Sequence, residues 1–206
     1  MHYLMTLLGT RHATPKLVAT IGDHLKRTPY RGTFLACWQC EIGTIGQVLL
    51  MHGYDSLETL NLDRETTAQS PTRYGLGDAL LWASTTAYKP FPFAFMSPVA
   101  AGNFGPFFEV RFYRLRVGAV PIIIDEWAQA LPPRMELSKP LAVMYSMDGL
   151  GPRMMHIWPY TSLDERQRVR ARGFELGVWP PKGGDPDIIT TQLVEIYVPA
   201  PFSPVR

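Results

Sequence analysis

The feature of this sequence that most restricts its fold is an internal repeat. The stretch EIGTIGQVLLMHGYDSLE, residues 41–58, resembles MDGLGPRMMHIWPYTSLDE, residues 147–165. In both stretches a glycine-containing turn leads into an apolar run, which ends in tyrosine and is followed by Ser-Leu and an acid. One constant offset relates Tyr54 to Tyr160 and also Leu57 to Leu163. A fixed offset of this kind indicates that one structural unit has been duplicated within the chain.

The length of the chain and the position of a proline- and glycine-rich connector agree with two units. A chain of 206 residues can hold two units of about 100 residues each. The connector SPVAAGNFGP ends at Pro106, and we therefore expect repeats over residues 1–106 and 107–206.

The second repeat predicts the order of elements. FFEVRFYRLR alternates like a strand, and AVPIIIDEWAQAL is typical of a helix with proline in its first turn. PLAVMYSM and RMMHIWPY are predicted strands joined by the turn DGLGP, and TSLDERQRVRARGFE is a predicted helix with a capping box. DIITTQLVEIYVPAPF is the last predicted strand. The order β-α-β-β-α-β is ferredoxin-like, so the fold class is α+β.

Bulk properties exclude several classes of function. A net charge of +2 gives no reason to expect nucleic acid or an anionic membrane as a partner. No apolar run approaches the roughly 20 residues of a membrane span. The first residues, MHYLMTLLGTRH, lack a small-residue cleavage site, so we expect no signal peptide and a cytoplasmic location.

Motifs for metals and cofactors are absent from the sequence. The pair CWQC, Cys37 and Cys40, lies in a strand-like run, where residues three apart point to opposite faces. No further ligands with zinc spacing are evident. There is no phosphate loop, nucleophile elbow, zinc helix motif or dinucleotide fingerprint. We therefore expect no metal and no cofactor; histidine is a common haem ligand, but nothing in the sequence selects haem.

The strand FFEVRFYRL sorts into an apolar and a polar face. Phe108, Val110 and Phe112 share the apolar face, and Glu109, Arg111 and Tyr113 share the other. Because helices pack on apolar surface, we predict that the polar face is turned away from the helices. Glu109 and Arg111 can then pair with each other, either to bind a ligand or to fix the packing of the sheets.

The hairpin strand RMMHIWPY is sorted in the same way. Met155 and Ile157 share one face, and His156, Trp158 and Tyr160 share the other, which we likewise predict to be turned away from the helices. His156 is the candidate general base if its pKa lies near neutrality, and the alternative is an inert packed histidine.

The first repeat lacks most of these ionisable groups. An ungapped alignment places Tyr3, Met5 and Leu7 opposite Glu109, Arg111 and Tyr113. We expect an asymmetric site to which the first repeat contributes an apolar wall with His52, Tyr54 and Trp38.

The helix DERQRVRAR carries four arginines at alternate positions, Arg166, Arg168, Arg170 and Arg172. They form either a solvated helix face or a patch that binds an anion or a partner.

The repeated hairpin, the strand FFEVRFYRL, the segment GVWPPKGGDPD and the ending PAPFSPV together resemble the NIPSNAP family of the dimeric α+β barrel superfamily. The resemblance covers nearly the whole chain as two tandem copies. It implies that two ferredoxin-like sheets face each other within one chain as a pseudo-dimer, so that we expect the two polar faces to line the interior between the sheets. It leaves open whether such units pair into a homo-oligomer. Histidine, an aromatic residue and tyrosine at 156, 158 and 160 also match positions typical of the family.

The resemblance implies no established reaction, and two hypotheses follow from it. The first is a protein without catalysis that binds a small hydrophobic molecule or a protein partner. The alternative is a cofactor-independent enzyme of the superfamily, similar to a monooxygenase, cyclase or isomerase, that acts on a hydrophobic or aromatic substrate with His156 as its base. Fold analogy cannot decide between them.

Overall fold

The computed structural model describes residues 1–181 and 186–206. Residues 182–185 belong to the segment GVWPPKGGDPD, so that part of the resemblance lies outside the described residues. The strands are β1 (His2–Gly9), β2 (Thr33–Ile42), β3 (Gln47–Tyr54), β4 (Trp82–Pro90), β5 (Phe107–Leu115), β6 (Ala142–Ser146), β7 (Arg153–Tyr160) and β8 (Ile189–Pro199). The α-helices are α1 (Pro15–Arg27), α2 (Leu57–Gln69), α3 (Val120–Met135) and α4 (Leu163–Glu175).

The elements repeat the ferredoxin-like order, as predicted. Helices follow the first and third strands of each half. The boundary at residue 106 stays a prediction, and we propose it as the junction between the two units.

The eight strands close into one barrel in the order β1-β3-β2-β8-β5-β7-β6-β4. Two antiparallel seams join the halves: β2 pairs with β8, and β4 pairs with β6. Closure leaves each sheet without a free edge, which removes the usual site of strand-to-strand aggregation. The chain is therefore an internal pseudo-dimer of two ferredoxin-like sheets, in agreement with the predicted fold class.

The repeated Ser-Leu marks the start of the second helix in each half. The Ser56 side chain accepts a hydrogen bond from the backbone of Thr59 at the start of α2. The Ser162 side chain accepts one from Glu165 at the start of α4, and Glu165 in turn accepts one from the backbone of Thr161. These caps satisfy N–H groups that the first helical turn leaves unpaired. The repeat therefore encodes a hairpin strand followed by a helix cap.

An apolar cluster fills the barrel interior. Its buried members come from all eight strands and adjoining loops, and none comes from a helix. At its centre Trp38 from β2 stacks on Phe108 from β5, with ring centroids 4.2 Å apart and planes at 17°. Because these two residues belong to different halves, the cluster joins the halves through a shared core.

Two further apolar clusters lie outside the barrel, beneath the helices. One contains Ile123, Trp127 and Leu131 of α3, and the other contains Val18 and Ile21 of α1. Spacings of three and four residues place these side chains on the inner stripe of each helix.

The predicted orientation of the strand faces is wrong. Phe108, Val110, Met155 and Ile157 belong to the interior cluster, whereas Glu109, Arg111, Tyr113, His156, Trp158 and Tyr160 lie on the face covered by α3 and α4. His52 and Tyr54 likewise face the helices of the first half. The prediction assumed that helices pack only on apolar surface, but α4 carries arginines that pair with Glu109, and α3 carries Arg134, which lies over Trp158.

The ungapped alignment of the first strands is also wrong by one residue. Tyr3 pairs with Gly53, and Phe108 pairs with Pro159, so Tyr3 corresponds to Phe108 and not to Glu109. Because side chains alternate along a strand, a shift of one residue moves every side chain to the opposite face.

The two cysteines lie on opposite faces of β2, as predicted. Cys37 packs beneath α1, and Cys40 packs against the interior cluster. Both are free, and burial raises the pKa of each thiol to about 12. Among the described residues, no group of acids, histidines and cysteines could hold a metal ion. Over the same residues, no helix has the length and apolar character needed to cross a membrane.

Candidate functional site

A buried carboxylate organises the polar layer between the C-terminal sheet and its helices. Glu109 on β5 is 1% exposed. It accepts hydrogen bonds from Arg111 on the same strand and from Arg166 on α4. Arg170, one turn further along α4, lies 3.6 Å from the same carboxylate. Alternation on β5 and helical spacing on α4 thus bring three guanidinium groups to one acid.

The arginines of α4 divide into two groups, and Arg168 is exposed like Arg172. The side chains of Arg166 and Arg170 are partly covered, with exposures of 26% and 39%. Arg172 points outward and pairs with Glu175 at 3.2 Å. A solvated helix face therefore describes Arg172, and it is wrong for Arg166 and Arg170.

His156 on β7 lies in the same layer and is 1% exposed. Its ring packs against Trp127 of α3 at 4.7 Å and against Tyr113 at 5.0 Å. The indole N–H of Trp158 donates to Nδ1 of His156 at 2.6 Å. Burial, reinforced by the charges of nearby arginines, holds the pKa of His156 well below its usual value of 6.5.

These contacts determine the tautomer of His156. An indole N–H can only donate, so Nδ1 is the acceptor and the proton of the neutral ring sits on Nε2. Nε2 is buried and has no hydrogen-bond partner among the described residues. His156 is thus a neutral imidazole with one unused donor.

Arg134 is a member of this layer that the sequence reasoning missed. α3 runs past its predicted end at Leu131 to Met135, and this extra turn carries Arg134, which is 2% exposed. Its guanidinium lies 4.4 Å above the ring of Trp158 and donates to the backbone and hydroxyl of Ser138. The sequence signal that could have identified Arg134 is its spacing, because this residue continues the buried stripe of α3.

Tyr113 and Tyr160 complete the polar layer. Arg111 donates to the hydroxyl of Tyr113 at 2.8 Å. Burial raises the pKa of Tyr160, and the negative charge of Glu109 raises it further. The structure therefore brings together all six candidate residues of the second half, although beneath the helices and not inside the barrel.

The three candidates from the first half lie apart from this layer, and Trp38 belongs to the interior cluster. Tyr54 donates to Asp63 of α2 at 3.1 Å, and Asp63 also pairs with Arg31 at 2.8 Å. His52 stacks against Tyr30 at 4.6 Å and lies near Phe34 at 5.4 Å. The asymmetry that the sequence predicts is present, but the halves do not share one site.

His52 lines an open cleft of about 330 Å³ next to α1. The cleft is bounded by Gly22, Leu25, Lys26, Thr28, Tyr30, Gly32, Phe34, His52 and Phe202. His52 is 2% exposed, and its Nε2 has no hydrogen-bond partner among residues 1–181 and 186–206. Burial lowers the pKa of His52 to about 4, so the ring is neutral at physiological pH.

Another buried carboxylate, Glu195 on β8, was also missed. It accepts hydrogen bonds from Gln47 at 2.7 Å and from Tyr197 at 2.5 Å, and from the backbone and hydroxyl of Thr44. These donors satisfy both oxygens and link β8 to the first half. Because hydrogen bonds within the protein already satisfy the Glu195 carboxylate, its role is structural, and it holds the two halves together.

A comparison with known proteins assigns relatives to the chain. Residues 108–204 match the NIPSNAP family model. "Protein NipSnap homolog" of Dictyostelium discoideum is 24% identical over 147 residues, which cover 70% of this chain and 65% of that protein. The chain thus spans less than two thirds of the length of this curated relative.

The chain is also similar to two solved structures. A nipsnap family protein of Agrobacterium tumefaciens is 28% identical, covers 52% of this chain and 100% of its own, and has a TM-score of 0.43. A candidate monooxygenase of Fusobacterium nucleatum aligns over 97% of this chain and 92% of its own, with 8% identity and a TM-score of 0.66. At that identity the second likeness shows the fold alone.

Proposed function

Since this chain belongs to the NIPSNAP family, and since membership by itself assigns no reaction, we propose that it binds a small hydrophobic molecule without transforming it. The observation that carries the proposal is the cleft lined by His52. Its walls are mostly aromatic and aliphatic, and the one histidine on its wall retains an unused ring nitrogen. Ligand sites in proteins combine these two properties, an apolar lining and a few placed polar groups.

The size of the cleft sets the class of ligand. A closed apolar cavity of about 150 Å³ is sufficient for benzene. A cleft of about 330 Å³ is therefore large enough for a bicyclic aromatic molecule. Tyr30, Phe34 and Phe202 line the cleft and provide aromatic surface for such a ligand.

Three features weigh against the enzyme hypothesis. The barrel interior, where that hypothesis placed the substrate, is packed with side chains. His156, its candidate base, is 1% exposed and lies in the helix-covered layer. Its lowered pKa also makes it a poor proton acceptor near neutral pH.

A thermal-shift and NMR titration with 1-naphthol and naphthalene tests the proposal. Thr28→Trp fills the cleft and should abolish binding of both probes. Thr66→Trp places the same side chain on the exposed surface of α2 and should leave binding unchanged.

A second variant tests the polar group. His52→Leu should weaken 1-naphthol about fivefold, the effect of one neutral hydrogen bond, and should leave naphthalene almost unaffected. Binding that persists in Thr28→Trp, or that is absent from the wild type, would contradict the proposal.

A further inference from the structure

The polar layer of the second half contains more positive charge than its acid neutralises. Glu109 is one carboxylate facing Arg111, Arg166 and Arg170. Charged groups in a partly buried layer are costly unless they are paired. Around Glu109, three guanidinium groups and one carboxylate leave two positive charges uncompensated, and Arg134, which lies over Trp158, adds a further cation to the layer.

The layer also holds two buried N–H donors without partners. They are Nε2 of His156 and Nε of Arg134, neither of which has a hydrogen-bond partner among the described residues. His156 and Arg134 are connected through Trp158, which donates to the first and lies beneath the second. A buried donor without a partner is rare in native proteins and calls for an acceptor.

The excess charge is accessible from solvent. Arg166 and Arg170 are 26% and 39% exposed on α4, whereas Glu109 beneath them is 1% exposed. An anion that approaches α4 therefore meets the arginines before it meets the acid. Guanidinium groups bind phosphate oxygens in pairs, which suits a site with several arginines.

We propose that Arg111, Arg166 and Arg170, held in place by Glu109, form a site for a phosphate group. A phosphate monoester carries a charge of about −1.5 to −2 at neutral pH, which matches the two uncompensated positive charges. The site is separate from the cleft at His52 and does not depend on the proposed function.

Isothermal titration of the full chain with inorganic phosphate, against sodium chloride at equal ionic strength, tests this site. We expect binding by the wild type and a loss of about tenfold or more in Arg170→Gln, since a hydrogen bond to a charged group is removed. Arg172→Gln removes the same charge from a side chain two residues further along α4, which pairs with Glu175 and not with Glu109, and this variant should bind like the wild type. Circular dichroism checks that both variants fold, which their exposed positions favour.

A second arm distinguishes two sources of the phosphate group. Vesicles of phosphatidylcholine with and without phosphatidic acid are tested by co-sedimentation with the same variants. Binding of phosphatidic acid that is lost in Arg170→Gln supports a lipid headgroup, and binding of inorganic phosphate alone supports a soluble ligand. Equal losses in Arg170→Gln and Arg172→Gln, or no preference for phosphate over chloride and none for phosphatidic acid, would overturn the proposal.

Discussion

Phe108→Ala should be among the most destabilising single substitutions in the barrel. Phe108 is 0% exposed and stacks on Trp38 across the two halves at 4.2 Å. Truncation of a buried phenylalanine costs about 3–5 kcal/mol, through lost transfer free energy and the cavity left behind. The stacked pair adds about 0.5–1.5 kcal/mol, so we expect a loss of about 4 kcal/mol or more.

Urea denaturation measures this loss as a fall in the unfolding midpoint at constant slope. Phe174→Ala is the matched control, because Phe174 on α4 is 76% exposed and should change the free energy of unfolding by no more than about 0.5 kcal/mol. A loss below about 1 kcal/mol for Phe108→Ala would refute a packed interior shared by both halves.

Two further predictions concern the ionisable groups. Glu109→Gln should lower the free energy of unfolding by about 3 kcal/mol. This value lies near the lower end for a broken buried ion pair, because Arg166 and Arg170 keep part of their hydration. Urea denaturation checks the prediction against the exposed control Glu175→Gln, and equal effects of the two substitutions would contradict it. Acidification from pH 7 to pH 5 should lower the free energy of unfolding by up to about 2 kcal/mol through His52. The pKa of this histidine is about 4 in the folded protein and near 6.5 in the unfolded chain, so the unfolded chain binds more protons in this pH range. The contribution of His52 to stability is thus complete above pH 6.5 and is lost as the pH falls towards 4. The free energy of unfolding plotted against pH should have a flatter slope in His52→Leu, and an unchanged slope would count against the buried neutral ring.

The fold could be predicted from the repeat because each half encodes the same local features. The hairpin turn, the alternating strand and the helix cap recur at one offset, and the structure places the caps at Ser56 for α2 and at Ser162 for α4. Each such feature depends on a few neighbouring residues, so one sequence is sufficient to locate it.

The orientation of the strand faces could not be predicted in this way. Alternation separates Glu109 from Phe108 but does not state which face meets the helices. That depends on Arg166 and Arg170, which lie more than 50 residues away in the sequence and reach Glu109 only in the folded chain. The prediction assumed that helices cover only apolar faces of a sheet, whereas this layer is stabilised by ion pairs.

The residues missed in the polar layer and the interior share the same cause. Glu195 pairs with Gln47 across the two halves, and Arg134 lies over Trp158 from another element. The cleft at His52 likewise forms only where α1 approaches Phe202 near the end of the chain. Contacts between distant segments leave no local pattern in a single sequence.

An NMR measurement of nuclear Overhauser contacts among the aromatic rings tests the strand orientation most directly. Phe108 should show cross-peaks with Trp38, since their centroids lie 4.2 Å apart inside the barrel. His156 should show them with Trp127 of α3, at 4.7 Å. Cross-peaks between His156 and Trp38 would place the polar face inside the barrel and contradict the helix-covered layer.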